Sequence, residues 1–460
     1  MGANGIYGLS GSGLDIESLV KMGMLNKQNQ YDKMYQNQLL QTWVKEAYNT
    51  VYTDVKAFKE SMSTFKMQSN MSAMQATSSN NDVVSVTANG AAAAMNHKIT
   101  VEQVASNAYL MTANGEKIDR ANTNATNSAY LSDVLYGSNV TTGSDSEGKT
   151  YTIDGKVYKG SDVAISIEVQ DGNDVDSDGN PVTHKVEFTY DQIFNDKKTL
   201  NDLASAFSNS GANIQGGYDT VNDSFSLYNK PSGSDNKIGL QANNDISKNL
   251  LNSLHLASYD AQNNTLGTEA SFETGTMNVA ATGTNAKATI DGKTYESATN
   301  KLSVANVIYN FNGVSAKNAD GTYQASTISV SQDTDKIVDN VKKFVETYNT
   351  LIDSLNTKYR EEKNTDYKPL TKNQEAEMTE SQIDKWNEKA KSGLLYHDSN
   401  IYSIISDMRE ALYTKVDAVD SEYNSMSAIG ITSSTNQGHI TLDEDKLKAA
   451  LTADPDCVYQ

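Results

Sequence analysis

The chain has 460 residues, too many for one hydrophobic core, and at about 150 residues per domain it divides into about three. With 58 acidic against 38 basic residues, a formal net charge of -20, it offers no basic patch for nucleic-acid phosphates or for an anionic membrane surface. A single cysteine, Cys457, excludes an internal disulfide framework and any cysteine-based zinc site, and no apolar run reaches the length of a transmembrane helix.

Residues 1–12 are rich in glycine and serine and read as a flexible tail, since no strand precedes them and no phosphate-loop motif is completed. The N-terminus also lacks the basic and apolar regions of a cleavable secretory signal, which suits either a cytoplasmic protein or export through a dedicated channel. A helix is predicted from Leu14 to Leu40, with Asp15 and Glu17 at its positive end. Its apolar positions, among them Ile16, Leu19, Val20, Leu25, Tyr31, Met34, Tyr35 and Leu39, are too irregular to stand without a partner.

A regular pattern begins at Val44. Val44, Val51, Phe58 and Phe65 recur every seven residues, as do Tyr48, Val55 and Met62 four positions on, making one apolar seam on a helical face. The same spacing returns far downstream at Ile337, Val341, Phe344, Tyr348, Leu351 and Leu355, with Val338, Val345, Ile352 and Tyr359 as a second row. The two seams are expected to pack on each other inside one bundle, with Val51 and Phe344 buried together. An apolar stripe of this kind is more often a bundle core than a recognition surface.

Between the seams the composition turns to strand formers. Alternation over Val83–Asn89 and His97–Ala105 predicts a strand pair, and the polar interval from Thr112 to Lys149 reads as the entry to a separate module. YTIDGKVY at Tyr151–Tyr158 is echoed by ATIDGKTY at Ala288–Tyr295, each an Asp-Gly hairpin. Leu200, Leu203 and Phe207 mark a short amphipathic helix between them. Later helices are announced by the capping spacings Thr371 to Gln374 and Thr379 to Gln382, and by Ile401, Ile404, Ile405, Met408 and Leu412 after Asp398.

The fold class that follows is α+β and multidomain, with terminal helical segments packed together and β-rich head domains inserted between them. The expected division is a tail and leg helix over 1–42, a joining domain made of 43–111 with 331–460, and a head over 112–330. The head is expected to hold two modules, about 112–262 and 263–330, either consecutive or one nested in the other.

No catalytic constellation is assembled: the five histidines are scattered, and neither H-E-x-x-H nor G-x-S-x-G occurs. No cofactor is implied, and a secreted hydrolase has no site in the sequence. One acidic run stands out, because Asp174, Asp176, Asp178 and Gly179 match the first half of a calcium loop. Lys185 stands where the loop requires a bidentate glutamate, so an ordinary acidic hairpin loop is the better reading.

Taken in order along the chain, GLSGSGLDIESLV, WVKEAYNTVYTDVKAF, ITVEQVA, FVETYNTLIDSL, SGLLYHDSNIYSIISDMREAL and the terminal IGITSS…GHITLDEDKLKAALTADPDCV resemble the flagellar filament cap family, also called flagellar hook-associated protein 2. The segment from Thr284 to Ser315 is similar to a β motif that cap proteins share with flagellins. The resemblance implies a structural protein rather than an enzyme, secreted without a cleavable signal to the tip of the bacterial flagellum. There it forms a ring-shaped homo-oligomer that promotes polymerisation of exported flagellin. By the same resemblance its other partners are hook-filament junction proteins and an export chaperone, with neither nucleic acid nor membrane insertion. The family continues past the region matching Asp454–Val458 into a C-terminal helix that pairs with the N-terminal one, so a truncated form or a leg without that helix is expected here. A polar head rich in Tyr, Asn and Ser also suits an adhesin for host glycans or mucin, and a flagellin-like or hook-filament junction protein is a further alternative.

Overall fold

The computed structural model describes residues 16–433 and 437–460, with side chains from Ser18 onward. The expected tail over 1–12 and the carboxylates of Asp15 and Glu17 lie outside what it describes. The chain forms two compact units, one made of residues up to Met74 with Gln332–Gln460, the other of Gln75–Ser331.

The first unit is helical. Its leading helix runs unbroken over Ile16–Phe65, 50 residues, where the sequence suggested two helices meeting near Leu40. Nothing between Leu40 and Val44 breaks a helix: Gln41, Thr42 and Trp43 include neither proline nor glycine, and the threonine hydroxyl returns to the carbonyl of Gln38 at 3.0 Å. A return helix over Thr334–Arg360 is capped by Asp333, whose carboxylate accepts the Lys336 N–H. Helices over Lys372–Ala376, Glu380–Ala390, Ser399–Ala411 and Glu444–Ala453 follow, with a small hairpin of Ile431–Ser433 and Ile440–Leu442. Thr371 and Gln374 form a reciprocal capping box, and the Gln382 side chain accepts the Thr379 N–H at 2.9 Å.

The second unit is built of sheets in two nested layers of sequence. Its outer part combines a five-stranded sheet, in the order Met74–Ser78, Ser326–Gln332, Asn96–Gln103, Ala286–Ile290 and Lys293–Ser297, with a three-stranded one of Lys301–Val304, Val307–Phe311 and Val84–Ala88. Residues 106–282 supply the rest. A five-stranded sheet takes Ile214–Asp219, Ser224–Asn229, Tyr109–Thr112, Leu256–Asp260 and Thr265–Glu269 in that order. A four-stranded sheet takes Asn278–Thr282, Lys237–Ala242, Val163–Gln170 and His184–Thr189, and a three-stranded one takes Val140–Asp145, Gly148–Ile153 and Lys156–Lys159. Their shared core includes Leu110, Tyr151, Ile165, Ile167, Phe207 and Phe225.

Two expected boundaries move. Residues 75–111 belong with the head and not with the helical joining domain, because their strands hydrogen-bond to Ser326–Gln332, Ala286–Ile290, Val307–Phe311, Ser224–Asn229 and Leu256–Asp260, all inside the second unit. The division at 262/263 also fails, because Thr265–Glu269 pairs with Leu256–Asp260 and Asn278–Thr282 with Lys237–Ala242. The inner module therefore runs to about Thr282 and lies within the outer one in sequence.

Both Asp-Gly echoes are hairpins turned in the same way. Asp154 and Gly155 have φ of 50° and 78°, Asp291 and Gly292 of 48° and 84°, the paired positive values that a two-residue hairpin turn requires.

Candidate functional site

The leading and return helices meet antiparallel along the two heptad rows. Phe65 lies edge-on to Phe344 with ring centroids 5.7 Å apart, Phe58 to Tyr348 at 6.2 Å, and the Ser354 hydroxyl donates to Asp54 at 2.6 Å. Val51, Leu351 and Leu355 form one buried cluster with Leu395 and Ile401, on which Tyr48, Val55 and Phe58 pack half-buried. Ile337, Val341 and Tyr348 belong to a second cluster with Met71, Leu447, Leu451 and Cys457, flanked by Phe58, Phe65 and Phe344. Val44 and Met62 are half-buried and are not among the residues packed on either cluster. Val51 and Phe344 are not buried together, because the antiparallel crossing sets Val51 against Leu351 and Leu355 and leaves Phe344 for Phe65.

Polar groups fix this register. The Tyr48 hydroxyl donates to Asp398 Oδ2 at 2.5 Å, which raises its pKa, while Asp398 Oδ1 caps the helix that begins at Ser399. Tyr348 is buried with no hydrogen-bond partner for its hydroxyl, and burial pushes its pKa up to about 12. The contributions of Leu395, Leu447, Leu451 and Cys457 were not foreseen, because Leu395 and Cys457 lie in turns and Leu447 and Leu451 in a helix of 10 residues, too short to show a long period.

The N-terminal half of the leading helix has a different environment. Leu19, Val20, Met22, Met24, Leu25, Tyr31 and Met34 are 51% to 72% exposed. Burial of aromatic side chains begins near Tyr35, where the excursion between the return helix and Ser399 lies against the leading helix. The Tyr35 hydroxyl is 3.3 Å from Glu375, Gln36 donates to the Pro369 carbonyl at 2.6 Å, and the ammonium groups of Lys372 and Lys391 sit over Tyr35 and Trp43, each at 5.2 Å. The excursion has its own anchor, since the Trp386 indole donates to the Lys368 carbonyl at 2.8 Å and its ring stands 4.7 Å from Tyr367.

In the second unit, a row of side chains crosses the five-stranded sheet of the inner module: Gln215, Tyr228, Tyr109, Tyr259 and Leu266. Tyr109 is edge-on to Tyr228 at 6.0 Å and to Tyr259 at 5.4 Å. Beside them runs a groove of 990 Å³ whose lining includes Met111, Asn114, Lys117, Asp219, Asn222 and Asn264. Two of its edges are one turn used twice. YDTVNDSF at Tyr218–Phe225 and YDAQNNTL at Tyr259–Leu266 share a pattern in which Asp219 and Asp260 each accept two backbone N–H groups and a side-chain amide, from Asn222 and Asn263. The tyrosine of each donates to the residue at positive φ, Asp223 or Asn264. This second echo is legible in the sequence as a shared Y-D-x-x-N pattern.

The acidic run does not converge. Asp176 accepts the backbone N–H groups of Asp178 and Asn180, each at 2.9 Å, which holds its carboxyl below the usual range, and Asp174 instead faces His184 at 2.8 Å. Among the described residues no group of three His, Cys, Asp or Glu side chains is placed to hold a metal ion. No helix among them is long and apolar enough to cross a membrane.

Fold and site together define a multidomain α+β protein in which a helical unit, seamed by two heptad rows, is interrupted in sequence by a nested β head. Residues 12–108 match the family model for the flagellar hook-associated protein 2 N-terminus and residues 283–460 that for its C-terminus. The chain belongs to the flagellar hook-associated protein 2 family, the flagellar cap proteins. It is 26% identical to the flagellar hook-associated protein 2 of Halalkalibacterium halodurans over 98% of this chain and 77% of that protein. Against that of Escherichia coli K12 it is 24% identical over 63% of this chain and 52% of the relative. The crystal structure of the D1-D2-D3 domains of the Escherichia coli flagellar cap protein FliD has the same fold, with a TM-score of 0.53 at 23% identity, covering 90% of this chain and 89% of that one. The interval between the two family matches, residues 109–282, is nearly the inner module of the head.

Proposed function

We propose that the chain caps the distal end of the flagellar filament and promotes the polymerisation of exported flagellin beneath it. The observation that carries this reading is the leading helix: its C-terminal half is locked into a folded unit, while its N-terminal half presents apolar side chains on every side. Such a helix suits a leg that other subunits surround, and the nested head suits a plate. Copies of the chain would form a ring, with flagellin as the principal partner and hook-filament junction proteins and an export chaperone met on the way to the tip. The work is mechanical and requires no covalent step and no cofactor. Deleting the gene is expected to leave cells releasing unpolymerised flagellin into the medium, and restoring it is expected to return filaments. Filaments of normal length in the deletion strain would refute the role.

A second reading, adhesion to host glycans or mucin, is favoured by the tyrosine row beside an amide-lined groove, since aromatic faces stack on sugar rings and amides bond their hydroxyls. Saturable binding of the chain to a glycan array, lost in Tyr109→Ala, supports it. Absence of binding removes it.

A further inference from the structure

His255 stands at the corner between the helix Asp245–Ser253 and the strand Leu256–Asp260, in the left-handed region at φ 49°. Its imidazole lies between two carboxylates, with Nδ1 2.8 Å from Glu269 Oε1 and Nε2 3.1 Å from Asp119 Oδ2. The three groups come from three segments: the loop after the strand Tyr109–Thr112, the corner itself, and the end of the strand Thr265–Glu269. Backbone bonds run beside them, from the Ala113 N–H to the His255 carbonyl at 2.8 Å and from the Asp119 N–H to the Ser253 carbonyl at 2.9 Å. A cavity of 510 Å³ opens at the same place, and the helix brings the neutral groups Asn249, Asn252 and Ser253 to it.

A ring that faces a carboxylate at each nitrogen needs an N–H on both, which only the imidazolium has. The neutral ring would turn a lone pair toward one of the two acids. The loop so held is not an ordinary connection, because Ala113, Asn114, Gly115, Glu116 and Lys117 form one wall of the groove beside the tyrosine row. The chain is anchored on both sides of Asp119 as well: Ile118 is buried, and Arg120 pairs with Asp223 and donates to the Ser128 carbonyl.

We propose that His255 is a protonation-dependent staple that fixes the loop 113–119, and with it one wall of the groove, to the head. Burial draws the pKa of His255 down, but hydrogen bonding and charge from Glu269 and then Asp119 outweigh it, and the value lies above that of a free imidazole. The folded value exceeds the unfolded one, so the staple is complete below about pH 6.5, the ordinary imidazole value, and is lost as pH rises through the raised folded value. The staple acts whatever the groove binds, so it stands apart from the adhesion reading.

Amide hydrogen exchange on the full chain between about pH 6 and about pH 9, corrected for intrinsic exchange, tests it. Amides of the loop 113–119 are expected to lose protection over that range, because the raised folded pKa of His255 is crossed within it. In His255→Asn, whose side chain tolerates the left-handed backbone, the loop is expected to be poorly protected at every pH. Asp119→Asn and Glu269→Gln, which leave the ring in place, are expected to lower the His255 pKa observed by NMR. Loop protection that does not change with pH in the native chain would overturn the proposal, as would an unchanged pH profile in His255→Asn. Should that variant not fold, an undiminished pH step in Asp119→Asn overturns it instead.

Discussion

The two halves of the leading helix share one unbroken backbone and differ in everything that surrounds it. From Val44 to Phe65 the apolar residues fall in one stripe, and a single antiparallel partner covers it, so that Val51 is only 6% exposed. From Leu19 to Leu25 the apolar residues Leu19, Val20, Met22, Met24 and Leu25 fall on all sides, and no single helix covers such a surface. Helix formation therefore follows from local propensity and continuity with a packed segment, whereas burial follows from the period of the apolar positions. The C-terminal half is held by its own unit, and the N-terminal half leaves its apolar side chains exposed.

The sharpest way to break this contrast is substitution in each half. Leu351→Ala removes a buried side chain from the cluster that holds Val51 and is expected to cost about 2 to 5 kcal/mol. Val51→Asp would bury an unpaired charge there and is expected to unfold the helical unit, lowering its transition in urea while the β unit keeps its own. Leu25→Asp and Met34→Asp, in the exposed half, are expected to change the stability of the isolated chain by no more than about 0.5 kcal/mol. A comparable loss from both pairs would erase the distinction.

Cys457 offers a quieter reporter. Its thiol is buried in the cluster that contains Ile337, Val341 and Tyr348, and burial pushes its pKa up to about 12. At pH 8, about four units below that value, almost no thiolate is present, so alkylation is expected only when the unit opens. Leu351→Ala is expected to speed labelling in proportion to its loss of stability, and Met34→Asp to leave it unchanged.

How much of this could be read beforehand depended on whether the signal was periodic. The seam was legible because Val44 to Phe65 and Ile337 to Leu355 keep one spacing over several turns, and a long regular stripe has few alternatives. The partner of Val51 was misassigned, because a heptad row states which residues face a partner and not where two antiparallel rows cross. The Tyr35 and Trp43 contacts were invisible, since cation–π pairs with Lys372 and Lys391 join residues more than 300 positions apart without any local pattern. In the head, strand alternation placed elements but not their pairing. Residues 263–282 were therefore assigned to the wrong module, since sheet order is set by non-local hydrogen bonds.

The smallest effect tests register along the seam. Tyr48→Phe removes the hydroxyl that donates to Asp398 and is expected to cost about 0.5 to 1.5 kcal/mol at neutral pH. Because the folded pKa of Tyr48 is raised, that contribution is complete below about pH 10 and is lost as pH rises through the folded value, so native chain and Tyr48→Phe should converge in strong alkali. A gap that persists unchanged there would point to packing, not the hydrogen bond.

Hydrogen exchange resolved along the leading helix of the isolated chain is the most direct measurement of its divided character. Amides from Ala47 to Phe65 are expected to exchange only with unfolding of the helical unit, and those from Ser18 to Met34 by local fraying, orders of magnitude faster. Equal protection along the whole helix would contradict this, because it would mean that the exposed half is as stable without partners as the half that already has one.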